Sequence, residues 1–331
     1  MEEMASWQRL FIGIFGMALL TAPAQSQQPA AAPAPSPGSD AKSYVNFGIA
    51  NGGKGDLEGA IAAFNEAMKI DPKYAPAYYN RGFAHALQNK PDEAVADYDQ
   101  AIQIDPAYTE AYFQRGGLEG QKGDFDGAIS DFSQVIKLAP TYAPAYYNEG
   151  HVHYFLGNLD GALDEVNQAL KLDPNFTYAY FIRGLIRHAQ GHRMEAASDF
   201  QKSAGLNFSY APFWVWITEM ENGQQDMARK DLSDALAKPQ MFKPGDWPSQ
   251  IGNFLLGKIT QDQLMTKAKT GTDTESRNHF SEAWFYAGMV KLLSGDVPGA
   301  QDCFAKSIAT GAKGSEEFAE ANREAANHPK P

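Results

Sequence analysis

Between residues 41 and 210 the apolar positions fall at helical spacing, and the small and aromatic ones recur on a longer, fixed interval. Glycine stands at Gly48, Gly82, Gly116, Gly150 and Gly184, each 34 residues after the last. A tyrosine precedes each by four, at Tyr44, Tyr78, Tyr112, Tyr146 and Tyr180. Alanine follows by twelve, at Ala60, Ala94, Ala128, Ala162 and Ala196, with a bulky residue four further on at Phe64, Tyr98, Phe132, Val166 and Phe200. Residues four apart on a helix share a face, so the two pairs mark the packing faces of two successive helices. Gly55-Asp56 and Gly123-Asp124 break the chain between them and supply a cap for the second helix. Pro72, Pro106, Pro140 and Pro174 close the units, because a residue before proline avoids the helical region.

The pattern gives five helix–turn–helix units, 41–74, 75–108, 109–142, 143–176 and 177–210. Beyond Tyr210 the phase slips. Gly288, with Trp284 before it and Ala300 and Phe304 after it, restores the pattern at 104 residues from Gly184, three periods of 34 plus two. Two degenerate helical pairs are therefore expected over 211–280, with Thr260 capping one helix. A regular unit follows at 281–314, then a capping helix and tail at 315–331. A single unit cannot bury its own apolar face, so stacking is obligatory.

This period and its residues resemble the tetratricopeptide repeat, whose unit is 34 residues. The resemblance implies an all-α fold, a TPR solenoid in which the pairs wind into a right-handed superhelix with a concave inner face. The tail, in the order FWVW, DWPSQIGNFLLGKIT, EAWFYAGMVKLLSGD and EEFAEAN, is similar to the C-terminal half of NlpI-type bacterial TPR lipoproteins. That likeness implies an adaptor in the cell envelope that docks proteases and cell-wall hydrolases. The chain departs from it in having no lipidation cysteine.

Charge and cysteine content narrow the chemistry. Lys plus Arg number 28 against 40 Asp plus Glu, a net −12 over 331 residues, which disfavours general binding to nucleic acid. One cysteine, Cys303, excludes an intramolecular disulfide framework, a Cys-based zinc site and an iron–sulfur cluster. No cofactor is expected.

The start of the chain reads as a targeting segment. Arg9, the apolar run Leu10–Leu20 and Thr21-Ala22-Pro23-Ala24 have the order of a secretory signal peptide cleaved after Ala24. Eleven apolar residues span about 16 Å of helix, half a bilayer's hydrocarbon core. No stable membrane anchor is expected after cleavage, and retention of the segment is the alternative. Residues 25–40 are rich in Pro and Ala and read as a disordered linker. The expected location is the periplasm or cell envelope of a bacterium.

Candidate binding residues follow from the resemblance, in which the inner face is lined by the first helix of each unit at positions two, five, six, nine, twelve and thirteen. Position six carries Asn46, Asn80, Gln114 and Asn148, then Ile182. A carboxamide donates and accepts together, so a row of them can pair with an extended peptide of any sequence. Tyr79, Phe83, Phe113, Tyr147, His151, Tyr154 and Phe181 would flank it as anchors. The alternative is that Asn is merely frequent at that position. A clamp for a C-terminal carboxylate needs Lys and Arg at positions two, five, six and nine, where only Lys42 qualifies. The histidines offer no shared metal site: His151 and His153 point to different faces, and His85 and His153 fall where helices pack. Paired acids such as Asp97 and Asp99 are expected on solvated faces. No HExxH, GxSxG or P-loop occurs. The expectation is a non-catalytic scaffold for a protein or peptide partner, with homodimerisation left open. The alternatives are an adaptor or specificity subunit of an envelope protease or cell-wall hydrolase and, from another class, a glycan-modifying enzyme using Asp246 or Asp262 in 241–280.

Overall fold

Each 34-residue interval folds as two helices, and side-chain caps mark several of the breaks in the apolar pattern. The first pair is α1 (Ala41–Gly52) and α2 (Leu57–Ile70), the second α3 (Ala75–Leu87) and α4 (Pro91–Ile104), the third α5 (Thr109–Lys122) and α6 (Phe125–Leu138). Asp40 opens α1 by accepting from the Ser43 N–H at 2.8 Å, Asp56 opens α2 from Gly59 at 2.9 Å, and Asp124 opens α6 from Gly127 at 3.1 Å. Gly123, at φ 84°, ends α5 in the left-handed conformation that glycine adopts without penalty. Asp71 and Asp105 stop α2 and α4 in extended backbone, and each carboxylate turns back to accept an N–H two residues on.

The computed structural model describes residues 35–36, 38–312 and 315–328. The expected signal peptide, 1–24, and the linker as far as 34 lie outside the described residues. Among those described there are 17 helices and no strand, an all-α array of stacked helix pairs of the TPR-solenoid class. It divides into two compact units, one ending at Val152 and one beginning at His153, so the division falls inside α7 (Ala143–Phe155).

In the first unit α1 packs on α2, α3 on α4 and α5 on α6, while α1 also touches α3. In the second, α8 (Leu159–Leu172) leads to the pair α9 (Thr177–Ala189) and α10 (Arg193–Gly205), then α11 (Ala211–Glu221) and α12 (Gln225–Leu236). Two short helices follow, α13 (Trp247–Leu255) and α14 (Gln261–Ala268), then α15 (Asp273–Leu293), α16 (Val297–Ala309) and α17 (Glu316–Asn327). α11 meets α15 directly, with Trp214 5.7 Å from Phe285 and Phe213 5.7 Å from Tyr286 between ring centroids. The short pair α13–α14 is thus an insertion beside a stack that continues without it. The pattern places the next regular unit at 281, but its first helix starts at Asp273. Thr272 and Glu275 form a reciprocal capping box there, fixing an earlier start than the repeat period alone implies.

The recurrent glycine has a steric cause. A Cβ at Gly184 would sit 2.5 Å from the Phe200 ring, and one at Gly288 would sit 2.5 Å from Phe304. At Gly82 it would lie 3.0 Å from the Ala94 carbonyl oxygen and 3.0 Å from the Asp97 Cβ. The second helix therefore lays its alanine and its ring directly on the backbone of the first. Ala94, Ala128, Ala196, Tyr98, Phe132, Phe200 and Phe304 are all fully buried by this approach.

A polar relay runs on the same period and corrects the expectation for Asp97, which is 3% exposed rather than solvated. Arg81 grips it through two nitrogens, Nε at 3.0 Å and Nη2 at 2.5 Å, while its Nη1 reaches Asn65 on the preceding α2 at 2.7 Å. Arg115 repeats this with Asp131 at 2.7 and 2.8 Å and Asp99 at 2.5 Å. Arg183 repeats it with Asp199 at 2.7 and 2.9 Å and Asn167 at 2.9 Å. Each arginine also lies over the tyrosine three residues earlier, Tyr78, Tyr112 or Tyr180. One side chain so ties three helices. Glu149 takes the arginine's place in the fourth unit and accepts from Ser133 at 2.9 Å instead.

Arg115→Ala leaves Asp131 buried without its bidentate partner, and urea unfolding should show a loss of about 2–4 kcal/mol, below the fully buried case because the guanidinium is partly wet. Lys69→Ala, which removes an exposed pair with Glu66, should change stability by less than about 0.5 kcal/mol. Equal effects from the two substitutions would overturn the relay as a structural tie.

Candidate functional site

The expected ligand-facing residues all lie on the first helices of the pairs. In the first unit Asn46 is exposed, Asn80 is half-buried, and Gln114 and Asn148 are buried. The Nδ2 of Asn80 donates to the Pro76 carbonyl at 2.7 Å, and that of Asn148 to the Pro144 carbonyl at 2.8 Å, both on their own helix. That bond fixes each carboxamide's orientation and leaves its oxygen and second N–H outside it. The Gln114 Oε1 is buried with no hydrogen-bond partner, an acceptor that carries a desolvation cost until something donates to it.

The aromatic residues expected as anchors serve first as packing between units. Tyr79 lies 5.8 Å from Tyr98 and 5.1 Å from Tyr108, and Phe113 lies 5.7 Å from Phe132 and 5.3 Å from Tyr142. Burial pushes the Tyr79 hydroxyl up to about 12, although Gln114 hydrogen-bonds it. Tyr147 and His151 are buried and stacked on one another at 5.7 Å, and Phe83 is half-buried. A ring at position five fills the hole between one second helix and the next unit's entry, which is why it recurs with the period.

In the second unit Phe181 does the same, 5.7 Å from Phe200 and 4.7 Å from Phe208. Tyr154 is different. It is fully buried, and its hydroxyl donates to Glu320 on α17, so this expected anchor already has an occupant. His188, within α9, bonds Glu221 at 3.1 Å. Burial opposes the charged imidazole, but the Glu221 bond and charge, aided by Glu320 and Glu324, outweigh it and hold its pKa above the ordinary value.

Of the two aspartates considered for catalysis, one has a structural duty. Asp246 caps α13, accepting from Ser249 at 2.8 Å and from Lys243 at 2.9 Å. Asp262 is exposed in the first turn of α14. Trp247 donates its indole N–H to Glu282 at 2.7 Å, and Trp214 is sandwiched by Phe200 and Phe285. Among the described residues no three His, Cys, Asp or Glu are grouped to hold a metal ion, and no helix is long and apolar enough to cross a membrane.

Two acidic features were missed by residue type alone. Glu219 on α11 is buried with neither carboxylate oxygen hydrogen-bonded, and burial, then the charge of Asp231, pushes its pKa up to about 7. The second is the acidic face of α17. The signal for the arginine relay, by contrast, was present: Arg81, Arg115 and Arg183 precede the period glycines, and Asp97, Asp131 and Asp199 follow each arginine by 16.

Three family models match the chain, one described as a TPR repeat over residues 54–89 and two as tetratricopeptide repeats over 75–108 and 121–182. No curated protein sequence matches it. Among solved structures it is similar to PilW, a type IV pilus biogenesis factor, at 20% identity and a TM-score of 0.55, covering 63% of this chain and 96% of that one. It is similar to PilF of Pseudomonas aeruginosa at 17% identity and a TM-score of 0.54, covering 63% and 95%. MamA aligns at 28% identity over 48% of this chain and 94% of its own, with a TM-score of 0.46. The first two likenesses speak to the fold.

Glu219 binds its proton more tightly in the folded chain than in the unfolded one, where a glutamate titrates near about 4.3. Its contribution to stability is therefore complete at low pH and lost as pH rises through about 7. The urea midpoint should fall between pH 5 and pH 8, and Glu219→Gln should reduce that fall. A pH dependence unchanged by the substitution would contradict the assignment.

Proposed function

We propose, from the premise that this chain carries tetratricopeptide repeats, that it is an exported scaffold holding a protein or peptide segment against its first-helix wall, without catalysis. The observation that carries this reading is the row of carboxamides at Asn46, Asn80, Gln114 and Asn148, one per repeat, with two oriented by their own helix and one buried acceptor unpartnered. An extended segment offers an N–H every few ångströms and can supply donors to such a row without regard to its side chains.

Export rests on the signal-peptide pattern at 9–24. The finer role, an adaptor or specificity subunit for an envelope protease or cell-wall hydrolase, rests on the tail's resemblance alone. Affinity capture from envelope extract, read by mass spectrometry, separates the general reading from the finer one. A protease or hydrolase among the captured proteins would favour the latter.

The mature protein should begin at Gln25 on N-terminal sequencing. Titration of the captured segment against the variant Asn80→Ala, Gln114→Ala, Asn148→Ala should show a loss of about 1.5–4 kcal/mol, roughly ten- to a thousandfold, if each carboxamide makes one net hydrogen bond. Helical content by circular dichroism should be kept. Equal affinities for variant and wild type would show that the row is not the binding surface.

A further inference from the structure

The last helix lies where a ligand of the second unit's wall would lie. α17 starts at Ser315, whose hydroxyl accepts from the Phe318 N–H at 3.1 Å, and it packs on α15 and α16. Its Glu320 accepts from the Tyr154 hydroxyl at the end of α7. Arg323 lies over the Tyr154 ring at 3.9 Å, donates to the Tyr154 carbonyl at 2.6 Å, and pairs with Glu320 one turn away. Glu317 accepts from the Tyr286 hydroxyl on α15 at 3.3 Å. Glu324 lies within electrostatic reach of His188 on α9, Glu221 on α11 and Arg193 on α10. The helix therefore runs along first helices of successive pairs. Tyr154 and His188 occupy position twelve of their units, one of the expected inner positions.

The contact is rich in carboxyl groups. Its buried face is Glu316, Glu317, Glu320 and Ala321, the two central glutamates being 4% and 1% exposed. Arg323, His188 and Arg193 oppose these acids, while Glu282 on α15 and Glu221 on α11 add to them. Burial, then the charges of Glu282 and Glu316, raises the Glu317 carboxyl well above its usual range, and burial with Glu320 takes Glu324 to about 7. Burying these carboxyls has a desolvation cost that offsets part of what their hydrogen bonds contribute. Beside its apolar contacts, this helix is held by directional polar bonds that another helix can copy.

We infer that α17 is a displaceable internal occupant of this wall, and that the partner which replaces it is an acidic amphipathic helix of another protein, carrying Glu-x-x-Arg to seat on Tyr154 and a glutamate one turn earlier for Tyr286. This rests on the reading of the wall as a protein-binding surface and names the class of segment it takes in the second unit. The template is the sequence that fits there now, Glu317 to Glu324 (EFAEANRE). Binding follows the helix-in-groove mode, with polar rather than apolar anchors. Because the internal helix competes, the wall's affinity for the partner is reduced by the fraction of time α17 is docked.

Two measurements on the full chain test this. Hydrogen exchange should be at least tenfold faster in α17 than in α9 and α15, and Tyr154→Phe or Arg323→Ala should speed it further while α9 and α15 stay protected. A fluorescein-labelled peptide of residues 315–328 should bind the Arg323→Ala chain at least tenfold more tightly than wild type. The same peptide carrying Arg323→Ala should bind at least tenfold more weakly. α17 exchanging only with the rest of the unit, or no gain in peptide affinity in either variant, would overturn the inference. So would dimers formed by exchange of α17 between copies, seen by light scattering. None of these readouts depends on the carboxamide row, so failure here and failure of the scaffold reading are separable.

Discussion

The contact on which everything else depends is the approach of one helix to the glycine of its partner. Where Phe200 lies on Gly184, or Tyr98 and Ala94 lie on Gly82, the helices are closer than any Cβ would allow. That proximity buries the alanine of the second helix completely and sets the angle at which the next pair must start. The aromatic residues of the wall then fill the remaining holes. A stack of small, similar units has no other source of a large core, so each interface has to be made this closely.

The arginine relay adds direction to an interface that burial alone leaves free to slide. Apolar contact is indifferent to small rotations, whereas a planar guanidinium fixed to Asp131 through two bonds and to Asp99 through a third is not. The same arginine rests on the tyrosine one turn before it, whose hydroxyl in two units reaches back to the carbonyl of the unit-closing proline, Tyr78 to Pro72 and Tyr180 to Pro174. Core and charge therefore share one period, and each explains why the other's residues cannot drift.

Taken unit by unit, the first helices carry different polar chemistry. Over the first unit they present carboxamides, neutral groups suited to backbone. Over the second they present tyrosine hydroxyls and a histidine, which face the carboxylates of α17. Neutral donors and acceptors accommodate any extended segment, while hydroxyls set opposite glutamates select a charge pattern.

Much of this was legible before any coordinates. The 34-residue interval fixed the number and pairing of the regular helices, because glycine, alanine and ring residues can recur in phase only if they meet the same neighbours each time. Asp97 shows where reading by residue type failed. An aspartate on a polar helix reads as solvated, and only its alignment with Arg81, 16 residues away, reveals a buried pair. The insertion of α13 and α14 beside an uninterrupted α11–α15 contact could not be read from the period, since a phase slip says that residues were added and not where the chain puts them. Nor could the place of α17. Its sequence, SEEFAEANREAA, describes a polar, solvent-loving cap. Its glutamates are buried because hydroxyls on α7 and α15, brought to one wall by stacking, give them partners, and no local pattern encodes a partner 166 residues away.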